Sequence, residues 1–83
     1  MSDASKPRLS LVPLEGLPRV ARVFEGGLRG DRRPGDWQQL DPGALRDALL
    51  RHLVAWSSGD PKEDHLAAVA ANALMLLWHE DRS

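Results

Sequence analysis

The chain has 83 residues, a formal net charge of -1 and no cysteine. That length holds one domain at most and buries only about 60% of its unfolded surface, so its own core is marginal. The missing thiols exclude disulfide staples and thiolate zinc sites, and the near-zero charge argues against a dedicated nucleic-acid binder.

Charge is spread unevenly. Residues 1–33 carry seven Lys/Arg against four Asp/Glu, and residues 34–83 carry four against eight. The two ends can attract each other within a molecule or between copies, and the basic end can meet phosphates. The first residues are polar and no apolar stretch follows them, so no signal peptide is expected. The longest nearly apolar run, residues 66–78, has 13 residues, whereas a membrane span needs about 20. A soluble cytoplasmic protein without membrane contact is the expectation.

Residues 1–12 read as an extended N-terminal arm in which Lys6 and Arg8 flank Pro7, a residue that resists helix. Residues 13–80 read as one helical domain. Leu14, Leu17, Val20, Ala21, Phe24 and Leu28 recur at helical spacing and predict a first helix over residues 13–25. Pro18 removes a backbone donor, so this helix either kinks there or starts near Leu17. Gly26 and Gly27 stop it. Residues 29–36, RGDRRPGD, form a loop by composition. The RGD triplet is a three-residue match with no sign of secretion, and it carries no adhesion reading. Trp37, between Asp36 and Gln38, is either a plug on the core or a stacking surface for a flat ligand.

The second helix, residues 41–58, is the most strongly specified. Asp41 is placed to cap it and Pro42 stands at its first position, where a missing N–H costs nothing. Leu45, Ala48, Leu49, Leu53 and Trp56 give it one apolar face. Asp47, Arg51 and His52 lie beside that face. They form either a site or a solvated edge with one ion pair between Asp47 and Arg51, which are four apart. After Gly59, the run Asp60-Pro61-Lys62-Glu63 has the form of a capping box for a third helix reaching about His79. The turn is short, so helices two and three should form an antiparallel hairpin. No strand signal and no internal repeat appears, and the fold class is all-α.

Helix three, LAAVAANALMLLW, is apolar all round except for Asn72. Such a helix must be surrounded, and two short neighbours from one chain cannot cover every side. A homo-oligomer follows, most simply a symmetric dimer forming a helical bundle. Asn72 lies seven residues from His65 on the same side. A buried Asn there fixes register or presents an amide to a ligand base.

Taken in order, KPRLSLVPLEGL, VARV, GDW, LRDALLRHLVAW and HLAAVAANALMLL make the chain familiar over roughly residues 6–78. It resembles the phage and prophage dATP/dGTP diphosphohydrolases, similar in turn to the all-α nucleotide pyrophosphohydrolases related to MazG. The resemblance implies an all-α fold, assembly from at least two chains, and Mg²⁺- or Mn²⁺-dependent cleavage of a purine deoxynucleoside triphosphate to the monophosphate and pyrophosphate. That reaction needs a metal-activated water and a clamp on the growing charge. Hard Mg²⁺ wants several oxygens, gathered as carboxylates from neighbouring helices. On this reading Asp47, with Glu63 or Asp64, holds the metal, and Asp47 and His52 are catalytic. Lys6, Arg8 and Arg51 take the phosphates, Trp37 or His52 contacts the base, His65 belongs to the same nucleotide-binding set and Asn72 reads the base edge.

The chain departs from that family's pattern in four places. The usual Glu-Glu pair of the first helix is Pro18-Arg19, and the second His of the "HLAHA" motif is Ala68. The often acidic position three residues before Asp47 is Ala44, and the loop before helix three is shorter than usual and lacks part of the usual acidic stretch. Glu15, Glu25, Asp60, Glu63 and Asp64 are the carboxylates that could substitute. Three functions follow as expectations: an active diphosphohydrolase, a module that binds the nucleotide without cleaving it, or a helical oligomerisation module that has lost the metal site.

Overall fold

Helical spacing becomes three α-helices in the computed structural model, which describes residues 5–28, 30 and 32–83. They are α1 (Leu17–Gly26), α2 (Pro42–Ser57) and α3 (His65–Arg82). Short 3-10 turns occupy Leu9–Leu11, Leu14–Gly16 and Asp36–Gln39, and no strand occurs among the described residues. The chain is therefore all-α. Residues 1–4 of the arm and Arg29 and Asp31 of the RGD triplet lie outside the described residues.

Of the two starts considered for the first helix, the chain takes the later one. Leu17 opens α1, which puts Pro18 in the first turn, where no intrahelical donor is lost. The residues before it form a separate 3-10 turn. In the arm, Leu9–Leu11 also curl into one 3-10 turn, and Leu9 and Leu11 stay exposed.

Helix α2 begins as its sequence dictates, with Asp41 Oδ2 accepting the Ala44 N–H at 3.2 Å. Its end is a Schellman turn. Asp60 N–H donates to the Ala55 carbonyl and Gly59 N–H to the Trp56 carbonyl, both at 3.0 Å. The turn needs a left-handed residue, and Gly59 supplies it at φ +75°. This sets the position of Asp60.

The expected capping box over Asp60 and Glu63 does not form. Asp60 Oδ1 instead accepts the Lys62 N–H at 3.0 Å, closing an Asx turn across Pro61 that bends the chain before a helix can start. Asp64 takes the capping role, with Oδ1 accepting the Ala67 N–H at 3.3 Å. Helix α3 starts at His65 and runs to Arg82, past the expected end at His79.

Helix α3 packs against both α2 and α1. The core on this seam is thin: Leu45, Ala67, Ala68 and Ala71, with the polar His65 and Asn72 buried among them. Leu45, Ala48 and Leu49 face inward as predicted, whereas Leu53 and Trp56 are exposed. The inward row continues instead through His52 and Ala55. Residues 45, 48, 52 and 55 keep helical period.

One chain leaves much of its apolar surface bare. Leu66, Leu74 and Leu77 form an outward stripe on α3 and are 41%, 46% and 55% exposed. The chain exposes 6872 Å², whereas a self-contained monomer of 9.2 kDa exposes about 4,900 Å². Its radius of gyration is 14.6 Å, against about 12 Å for a closed domain of this length. No helix is long and apolar enough to cross a membrane among the described residues.

Candidate functional site

Among the described residues, a dense group of titratable side chains sits where the end of α2 meets the start of α3. His52 projects from α2 and His65 is the first residue of α3, and their Nδ1 atoms lie 2.9 Å apart. Glu63 Oε1 is 3.6 Å from each of them. On the far side of the His65 ring, Nε2 lies 3.2 Å from Asp60 Oδ2. A carboxylate can only accept, so Nε2–H of His65 donates to Asp60 and a neutral His65 keeps its lone pair on Nδ1. His52 then donates its own Nδ1–H across the gap. His65 is buried, and His52 is half-buried.

A cleft of about 560 Å³ opens beside this group, lined in part by Arg19, Arg22, His52, Glu63 and Asp64. Arg19 grips Asp64 with a two-pronged fork. Nε donates to Oδ2 at 2.8 Å and Nη2 to Oδ1 at 2.7 Å. Hydrogen bonding to Asp64, then its charge, raises the Arg19 guanidinium above its ordinary value. The Arg19 bond is the main reason that the Asp64 carboxyl is held below the usual carboxylate range. The position where the resemblance leads one to expect a glutamate thus holds the cation that neutralises Asp64.

Other residues expected in the site lie elsewhere. Trp37 plugs an aromatic cluster, with ring centroids 5.1 Å from Trp78 and 6.3 Å from both Phe24 and His79, all edge-on. Asn72 is buried and donates its amide to the Ala68 carbonyl of its own helix at 2.8 Å. Lys6, Arg8, Asp47 and Arg51 are exposed, and no ion pair joins Asp47 to Arg51 among the described residues. Asp47 also stands outside the His52–Glu63–His65 group. Sequence reasoning missed Asp60 as the partner of His65 and Arg22 as a wall of the cleft. The signal for Asp60 was its place directly after Gly59, which a Schellman turn aims back toward the helix pair.

Mg²⁺ is a poor fit to these donors. It wants an octahedron of oxygens. Among the described residues, the group that could hold a metal offers two imidazole nitrogens and one carboxylate, and both oxygens of nearby Asp64 are engaged by Arg19.

An ionic cleft between the helices of an all-α domain is a common place for small polar ligands in such folds. The chain is thus a helical domain with a built cleft rather than a plain coiled segment. It belongs to the dATP/dGTP diphosphohydrolase family: the profile of that family's N-terminal domain, "dATP/dGTP diphosphohydrolase, N-terminal", matches residues 1–83. No curated protein and no solved structure matches the chain.

Proposed function

We propose that this chain binds the triphosphate of a purine deoxynucleotide in the cleft between α1 and the start of α3, and that its own carboxylates do not complete a site for hydrolysis. Two guanidinium groups, those of Arg19 and Arg22, on one wall of the cleft carry this reading. A guanidinium is the donor of choice for phosphate oxygens. Arg22 has its charge available there, and Arg19 exchanges Asp64 for phosphate when the nucleotide enters. Family membership supports the purine deoxynucleotide as ligand.

The test is a thermal shift and calorimetric titration with dGTP and dATP, run with and without EDTA. Saturable stabilisation that survives EDTA, and that falls at least about tenfold in affinity for Arg22→Gln, is expected. No shift with any deoxynucleotide overturns the reading. Pyrophosphate release with Mg²⁺ or Mn²⁺ overturns its non-catalytic half.

A second reading rests on the excess exposed surface. We read α2 and α3 as an antiparallel hairpin whose Leu66, Leu74 and Leu77 stripe is covered by a second copy of the chain in a helical bundle. The surplus over a closed monomer is about 2,000 Å² per chain, so a dimer that covered it would bury about 4,000 Å² in all, within the range of obligate homodimers. A second chain is also the route by which Asp47 would meet further carboxylates and restore a Mg²⁺ or Mn²⁺ site. Light scattering at micromolar concentration should give a mass at least twice 9.2 kDa. A monomer with full helical content refutes this assembly.

A further inference from the structure

We propose that His52 Nδ1, His65 Nδ1 and Glu63 Oε1 form a binding site for a borderline divalent cation of the zinc class, with Asp60 holding His65 in place from behind. The three donors make a triangle with edges of 2.9, 3.6 and 3.6 Å. A tetrahedral ion with bonds of about 2.0–2.1 Å spaces its donors by about 3.3 Å. The observed triangle is already one face of that tetrahedron, and each edge needs to move by only about 0.3–0.4 Å. Two imidazoles and one carboxylate are a recurrent zinc donor set, and a fourth corner stays open. His52 and Glu63 line the cleft, so water or an anionic oxygen would complete the shell from that side. The lack of cysteine excludes thiolate zinc sites but leaves this chemistry untouched.

The surroundings are those of a prepared ligand. A metal-bound imidazole usually donates its other N–H to a carboxylate, which fixes both tautomer and ring angle. His65 does this with Asp60, and Asp60 is itself held by the Schellman turn at Gly59 and by the Lys62 N–H. His65 needs no proton shift to bind a metal through Nδ1. His52 does: the proton that it places between the two Nδ1 atoms must move to its Nε2, so the metal replaces one hydrogen bond and switches one tautomer. The same donor set discriminates against Mg²⁺, which takes oxygens and dehydrates reluctantly.

The experiment uses the full chain, freed of metal and without nucleotide, so that its outcome is separate from that of the nucleotide reading. Zn²⁺ is titrated by competition with a coloured chelator, and Co²⁺ is added as a spectroscopic stand-in. One ion per chain is expected, with a Kd on the order of micromolar or tighter, and Co²⁺ should show the intense bands of a four-coordinate ion. His65 is buried and its replacement endangers the fold, so the decisive variants are H52Q and E63Q, which change more exposed groups. Each should weaken Zn²⁺ at least about tenfold with helical content retained, and D60N should do so by about 10- to 100-fold. Nitrogen-15 shifts should show His52 changing tautomer on Zn²⁺ addition, while H79Q binds as the parent does. Failure to take up Zn²⁺ saturably, an affinity unchanged in both H52Q and E63Q, or displacement of Zn²⁺ by millimolar Mg²⁺ overturns the site.

Discussion

The two ends of helix α3 are built on opposite principles. At its start, His65 is packed against His52, Glu63 and Asp60, with Arg19 and Asp64 beside them. At its end, Trp78 and His79 meet Trp37, whose ring also meets Phe24, and the Arg82 guanidinium lies 4.1 Å from the Trp78 ring centre. Thirteen residues, or about 20 Å of helix, separate them. The aromatic end stacks large, half-buried rings edge-on and anchors the loop that carries Trp37. The polar end buries a histidine at some cost in desolvation and keeps it oriented with a carboxylate. A thin row of alanines between them adds close packing but little apolar area. Stability is therefore concentrated at one end and chemistry at the other.

Removing Trp37 tests that division most severely. Trp37→Ala takes away a half-buried indole with three edge-on ring neighbours. A truncation of this kind costs about 3 kcal/mol or more, and for a chain this size each kcal/mol shifts Tm by about 4–8 °C. A fall of at least about 12 °C is expected, measured at fixed protein concentration because assembly also moves Tm. His52→Gln at the other end removes one part-buried polar contact, worth about 1 kcal/mol. Equal losses from the two substitutions would erase the contrast between the ends.

Legibility in the sequence follows the same division. Local rules were enough for α2: Asp41 and Pro42 mark its start, and Gly59 marks its end. The all-α class and the uncovered apolar face of α3 were also readable, because they depend only on spacing and on the lack of polar residues. The start of α3 was not. Asp60-Pro61-Lys62-Glu63 matches a capping pattern, but the preceding Schellman turn commits Asp60 to Lys62 and His65, and the cap passes to Asp64. That outcome depends on the path of the chain leaving α2. The inward place of His52 was hidden for a related reason, since Leu53 and Trp56 offered a more apolar stripe at similar spacing. Only contact with the start of α3 decides between the two. The carboxylates expected beside Asp47 were a non-local prediction as well. Asp64 is drawn to Arg19, 45 residues away, rather than toward α2.

The Arg19–Asp64 fork gives the smallest effect and the finest test of the polar end. Both side chains are largely open to water, at 64% and 38% exposure, so the pair is screened and its contribution is modest. Its sign is nevertheless fixed. Asp64 titrates lower in the folded chain than in the unfolded one, chiefly because Arg19 donates to its ionised form. The unfolded chain therefore takes up the proton first as the pH falls. The stabilisation is complete above the ordinary carboxylate range and is lost as the pH drops through the lowered folded value. Asp64→Asn keeps a good helix cap while removing the charge. The Tm gap between parent and variant should be widest near neutral pH, shrink steadily in acid, and shrink also in 1 M salt at neutral pH. A gap that holds constant through the acid range would mean that Arg19 recognises the shape of the Asp64 side chain and not its charge. Charge would then have no part in fixing the start of α3 against α1, and the polar end would differ from the aromatic one only in composition.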